Sequence, residues 1–259
     1  MNSTIDLLLK RKSVRAYTDQ PIAPEVKETI LQATLRAPTA GNMALYSIIE
    51  VTDQELKAQL AETCDNQPFI ARAPWLLLFL ADYQRWYDYY LLSGVEKLCR
   101  ERGTELRTPG EGDLMLACCD TLIAAHTAVI AAESFGIGSC YIGDILERFE
   151  IHRALFKLPK YVLPVSLVCF GYPTESQAQR KQTPRFAPET MIHQNQYHQL
   201  DTTELTAMLE ARNAQFLAAT PRPDGIENLG QYNYVRKFSA EFSVEMTRSV
   251  RAMLQSWCA

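Results

Sequence analysis

Three cations and a serine fall within five residues at the head of the stretch RKSVRAYTDQPI, Arg11 to Ile22. If this segment is extended, Arg11, Ser13 and Arg15 project together. Two guanidiniums and a hydroxyl suit a phosphate or a planar pair of acceptors, because each guanidinium forks onto two oxygens. A second cationic cluster, RKQTPRF, spans Arg180 to Phe186. Two small-residue stretches lie between them. RAPTAGNMALYS, Arg36 to Ser47, lets a ligand approach backbone and offers the polar side chains of Thr39 and Asn42. GIGSCYIGD, Gly136 to Asp144, forces a tight backbone path whose amides can point at a bound group. Taken singly, each has an ordinary explanation as a solvated helix end, a helix-to-strand loop or a charged surface.

Other chemistries find less support. The spacing in GIGSCYIG is not GxGxxG, and an apolar helical run precedes it where a dinucleotide fold needs a strand. From Gly138 to Asp144 the two glycines of a phosphate loop are present, but an aspartate stands where its lysine must be. Cys119 and His126 share a helical face without third and fourth ligands at suitable spacing, which favours packing over metal binding. Neither HExxH nor GxSxG occurs.

The elements that must position these stretches alternate in type. Residues 3 to 10 read as a helix, as does PEVKETILQATLRA, Pro24 to Ala37, with proline in its first turn and Pro38 closing it. YSIIEVTD, Tyr46 to Asp53, reads as a strand. A helix near Gln54 to Thr63 follows, then the strand PWLLLFLAD, Pro74 to Asp82, whose unbroken apolar run predicts burial on both faces. Gln84 to Asp113, aromatic, charged and punctuated by glycine, reads as a mobile excursion or lid. Leu114 to Gly138 reads as a long helix that is central or lies in a dimer interface. Lys160 to Phe170 reads as a third strand. The tail carries helices at about Thr202 to Ala218 and Phe242 to Trp257. The pattern is α+β.

Composition narrows the classes further. The chain has 259 residues, 47% hydrophobic and 22% charged, enough for a sizeable core. With 26 basic against 30 acidic residues there is no broad basic field to draw in nucleic acid or an anionic membrane. Apolar runs such as WLLLFLA are too short to span a bilayer, and the N-terminus lacks a signal-peptide core, so the expected location is cytoplasmic. Seven scattered cysteines without a CxxC point to reduced thiols.

Taken in order, RKSVRAYTDQPI, APTAGNMALYSII, GIGSCYIGD and TPRF give the chain a resemblance, over nearly its whole length, to the FMN-dependent nitroreductase family. It is most similar to the branch of oxygen-insensitive NADPH nitroreductases and flavin reductases. The resemblance implies a nitroreductase-like α+β fold, with a central, mainly antiparallel sheet flanked by helices. It also implies an intertwined homodimer with FMN in clefts between subunits. Residues 1–200 would form the FMN-binding core, with the excursion at about 84–113. Residues 201–259 would form a helical extension of the same domain, packed on the partner subunit.

The same resemblance assigns roles. Arg11 and Ser13 match positions that hold the FMN phosphate and ribityl chain, with Lys12 contributing mainly backbone. Arg15 matches the cation at the pyrimidine edge, where a fixed guanidinium stabilises the charge gained on reduction. Thr39, Ala40, Gly41 and Asn42 match the loop beside the ring, and Gln67 matches a glutamine that hydrogen-bonds the flavin. Tyr141, Ile142, Gly143 and Asp144 match the segment along the ring face. Arg185 matches a phosphate ligand. Asp144 stands where the branch usually has glycine, and Thr183 replaces the lysine of its Lys-Pro-Arg motif, leaving Lys181 as the substitute. The insertion from Arg85 to Gly112 and the segment Gly225 to Phe238 are further departures. The implied activity is ping-pong electron transfer from NADPH or NADH through FMN to a nitroaromatic, a quinone or free flavin, with no catalytic side chain. The competing expectation is a non-catalytic FMN storage or regulatory module.

Overall fold

The computed structural model describes residues 2–219, 221 and 223–259. In chain order its first half holds α1 (Ser3–Lys10), α2 (Pro24–Thr34), β1 (Tyr46–Glu50), α3 (Gln54–Thr63), β2 (Trp75–Asp82), α4 (Gln84–Leu92) and α5 (Val95–Arg102). Then come α6 (Glu111–Ser134), β3 (Gly138–Ile142), α7 (Phe149–Leu155), β4 (Val162–Gly171), α8 (Glu175–Gln179), α9 (Thr202–Ala218), α10 (Leu229–Asn233) and α11 (Glu241–Cys258).

The four strands form one antiparallel sheet in the order β1-β2-β4-β3. Every residue of β2 is buried, as its unbroken apolar run predicts. Trp75, Leu77 and Phe79 alternate onto the face covered by α2 and α6, while Leu76, Leu78 and Leu80 enter the opposite core with Leu60 of α3. Alanines 117, 124, 125, 128 and 132 are fully buried on α6, so that helix lies close against the sheet. By length and hydropathy α6 could cross a membrane, but its small-residue face is spent on this core.

Three sequence expectations change. Gly138 to Ile142 is a strand rather than a helix end and tight turn; its glycine content hid it, while Ser139, Cys140 and Ile142 are buried in the pairing with β4. The third expected strand is therefore the fourth, over Val162–Gly171. Gln84 to Asp113, for which no regular elements were expected, holds α4 and α5. Trp86 Nε1 donates to the Met43 carbonyl at 2.6 Å, and the Arg85 guanidinium donates to Ser47 Oγ at 2.8 Å, so α4 is fastened to the residues around β1.

Two compact units emerge, residues 1–180 with 245–259, and residues 181–244. In the first, α11 adds Met253 and Trp257 to a cluster with Leu114, Phe149 and Tyr161, and Trp257 Nε1 donates to the Gly110 carbonyl at 3.0 Å. The second holds α9 and α10. Asp201 and Glu204 close a reciprocal cap on α9, and the Asn213 side chain accepts from the Leu229 amide at 2.9 Å.

The Arg11–Arg15 segment runs beside β3 through a parallel bridge between Ser13 and Ser139. The approach is close enough that a Cβ on Gly138 would lie 2.5 Å from Val14 Cγ2. Gly138→Ala is therefore expected to push this segment off β3 and to cost about 1–3 kcal/mol. Chemical denaturation of the variant against the parent protein measures it, and an unchanged midpoint would show that the contact relaxes freely.

Candidate functional site

The backbone of the cationic segment is held at several points. The Val14 amide donates to the Ser139 carbonyl at 2.8 Å, the Arg15 amide to Gln177 Oε1 at 3.3 Å, and the Thr18 amide to the Tyr172 carbonyl at 2.9 Å. Tyr17 wedges in beside Gly171 and Pro74 and donates its hydroxyl to the Val14 carbonyl at 2.7 Å. Lys12 is tied through its side chain as well. Its ammonium donates to the Ala178 and Arg180 carbonyls at 2.5 and 2.7 Å, which makes it a structural tie to the end of α8. From the other side, the Arg180 guanidinium donates to the Ser13 carbonyl.

Arg15 lies beside the Cys140 thiol on β3; burial raises that thiol's pKa and the guanidinium opposes the shift. Arg11 lies near Glu133 at the end of α6, whose carboxyl is raised by burial while Arg11 and Lys12 act against the rise. Arg11 and Arg15 thus flank the same short strand.

Beyond β3 the chain turns at Gly143–Leu146, and there Gln67 joins it. The Gln67 Nε2 group donates to Asp144 Oδ2 at 2.7 Å and to the Cys64 carbonyl at 3.0 Å. Both partners are acceptors, so the amide orientation is fixed by chemistry and both of its hydrogens are committed. What Gln67 can still offer a ligand is its Oε1, an acceptor. A Cβ on Gly143 would have no atom within 4 Å, so the backbone there borders open space.

Thr39 to Asn42 is anchored elsewhere. Asp120, the lone acid in an otherwise apolar stretch of α6 and 2% exposed, accepts from the Ala40 amide at 2.9 Å and the Leu45 amide at 3.1 Å. Thr39 Oγ1 accepts from the Ala44 amide at 3.0 Å, while Gly41 and Asn42 sit at φ +56° and +57°. Lys181 and Arg185 belong to the second unit, where both are exposed. Arg180, by contrast, is the member of that cationic cluster that reaches Ser13.

The sequence profile of the nitroreductase family matches residues 8–172. The chain belongs to the nitroreductase family. It is 34% identical to an FMN reductase [NAD(P)H] of Bacillus subtilis, over 83% of this chain and 82% of that one. It is 32% identical to an oxygen-insensitive NADPH nitroreductase of Salmonella typhimurium, over 83% of each. Among solved structures, nitroreductase A of Vibrio parahaemolyticus superposes with a TM-score of 0.79 at 27% identity, covering 98% of each chain. The nitroreductase fold expected from the sequence is therefore the fold the chain adopts.

Within this nitroreductase, several positioning residues escape a reading of the sequence: Asp120, Gln177 and Glu147. For Asp120 a signal existed, an isolated carboxylate inside an apolar helix, which needs hydrogen-bond donors if it is buried. Glu147 lies behind Asp144, buried and with one oxygen lacking a hydrogen-bond partner among the described residues. Burial raises its carboxyl from the ordinary 4.5 to about 7, and the nearby carboxylates of Asp144 and Asp65 add to the rise while Arg148 opposes it. His152, also buried, donates Nδ1–H to the Ile145 carbonyl at 3.0 Å, and burial lowers its pKa against the pull of its backbone hydrogen bonds.

Because the folded protein holds this proton more tightly than the unfolded chain, Glu147 contributes no pH dependence well below pH 4.5. It erodes stability between about 4.5 and 7, and its effect is constant above that. Glu147→Gln should flatten the fall in melting temperature across this window. A profile with the parent slope would remove Glu147 as its source.

Proposed function

We propose that the protein is an FMN-dependent NAD(P)H oxidoreductase that reduces small electron acceptors. The observation that carries this reading is the convergence on β3 of two guanidiniums, the Ser13 hydroxyl and a glutamine whose only uncommitted group is a carbonyl, in a chain of the nitroreductase family. The donor set fits FMN. Cations suit the phosphate and the pyrimidine edge, and the Gln67 carbonyl suits the imide N–H of an isoalloxazine ring.

When bound, FMN supplies two-electron chemistry, taking hydride from NADPH or NADH and passing the electron pair to a nitroaromatic, a quinone or free flavin in alternating turns. The chain's own residues bind and orient. Arg11 and Ser13 hold phosphate and ribityl chain, with Lys12 fixing the backbone under them. Arg15 places a permanent positive charge at the pyrimidine edge, and Tyr141, Ile142, Gly143 and Asp144 line the ring. Asp144, in place of the branch's usual glycine, orients Gln67. No side chain need exchange a proton with substrate.

The site is completed by a second copy of the chain. Met115, Leu116, Leu122 and Ile123 leave an exposed apolar stripe on α6, which supports a homodimer. In that dimer Thr39 to Asn42 come from the partner's side of the cleft, carried by their anchorage to Asp120 on the same helix as the apolar stripe. Lys181 and Arg185 are the second unit's expected phosphate ligands, and of residues 201–259 the part outside the contacts of α11 with Leu114, Phe149 and Tyr161 packs on the partner subunit. The working location is the cytoplasm.

An anaerobic visible spectrum tests the reading. The purified protein should be yellow and should bleach on addition of NADPH or NADH. A yellow protein that neither nucleotide reduces would instead be an FMN storage or regulatory module, and a colourless one that FMN cannot restore would remove the cofactor altogether. Since Arg15 favours the reduced state selectively, Arg15→Ala should lower the flavin reduction potential more than it weakens oxidised-FMN binding. Equal effects on both would reassign Arg15 to simple binding.

A further inference from the structure

Past Arg15 the chain curves through Thr18 to Ile22 and borders, with α2, α3 and the loop before β2, an open cavity of about 820 Å³. Of the residues assigned to the cofactor, only Arg15 lines it. Its walls carry four cations, Arg15, Lys27, Lys57 and Arg72, against a single carboxylate, Asp19.

These charges are poorly neutralised from within. Lys27 pairs with Glu50 at 2.9 Å. Lys57, 8% exposed, donates to the Ala73 carbonyl at 3.0 Å and forms no ion pair among the described residues. An ammonium has three donors, so the buried Lys57 head retains two beyond that bond. Burial lowers its pKa, and the neighbouring Lys27 charge lowers it further, with Glu50 opposing. Arg72 is exposed and makes no hydrogen bond or ion pair among the described residues. The cations come from four separate segments: the one following α1, α2, α3 and the loop before β2. Such spacing suits charge spread over several oxygens rather than one carboxylate. Phe69 and Tyr17 on the same wall offer apolar surface for an organic body.

We propose that this cavity binds a phosphorylated small molecule carrying two or more negative charges, at a site separate from the one assigned to FMN. The Arg72 guanidinium forks onto its phosphate oxygens, and the Lys27 and Lys57 ammonium groups supply point charges. The proposal stands whether or not the cofactor reading holds, because Lys27, Lys57 and Arg72 have no part in that reading.

Isothermal titration with inorganic pyrophosphate tests it, using protein saturated with FMN so that the cofactor's phosphate site is already filled. If no flavin binds, the same titration on the protein as purified reads the cavity independently. Pyrophosphate should bind, and Arg72→Ala and Lys57→Gln should each weaken it by about tenfold or more, the loss expected for a hydrogen bond to a charged group. Lys57→Gln also disturbs the Ala73 carbonyl, so Arg72→Ala, which removes an exposed side chain, decides if that variant fails to fold. Absence of binding to the parent protein, or the same affinity in Arg72→Ala, would overturn the assignment.

Discussion

Everything at the candidate site depends on one backbone contact, the Val14 amide on the Ser139 carbonyl at 2.8 Å. It joins the cationic segment to a buried strand, and so converts two flexible arginines into groups of fixed position. Side chains do not make this contact; they would obstruct it. Gly138 is required for lack of a Cβ, and Gly171 serves in the same way where Tyr17 passes, since a Cβ there would meet the Tyr17 ring at 2.7 Å. Glycine at these points buys proximity rather than flexibility.

Around that contact the charges are sorted by task. Lys12 is consumed by carbonyls at the end of α8, and Arg180 returns the tie to Ser13. Asp144 and Cys64 consume the donors of Gln67, so its carbonyl alone remains to be offered. Glu147 occupies a place where ionisation is expensive, behind an aspartate that already carries the local negative charge. Each of these groups reduces the number of ways its neighbour can point. A site that holds a cofactor and does little chemistry of its own needs this kind of restriction.

How far the sequence showed this varied with the range of the interaction. The burial of β2 was legible because a continuous apolar run has few other uses, and the helices from Pro24 and Gln54 were legible from cap and period. The strand at Gly138 was not, because glycine and serine carry turn propensity, and only pairing with β4 makes GSCYI extended. Chemistry-bearing types at Arg11, Ser13 and Arg15 could be picked out locally. Their anchors could not, since Gln177 and Arg180 lie over 160 residues away along the chain. The α4–α5 segment misled for a related reason. Its aromatic residues look like a loose lid until Trp86 and Tyr90 are seen packing against the core that α11 closes.

The clamp between Ser13 and Arg180 bridges 167 positions. Closing a loop of that size carries an entropic cost that a local contact does not. The cationic segment takes its final shape from contacts that need both β3 and α8 in place. A nascent chain presents Arg11 to Arg15 early and yet has no cradle until most of the first unit has been made. Maturation of the site is thereby tied to completion of the sheet, and a chain interrupted before α8 carries the right residues without the geometry to use them.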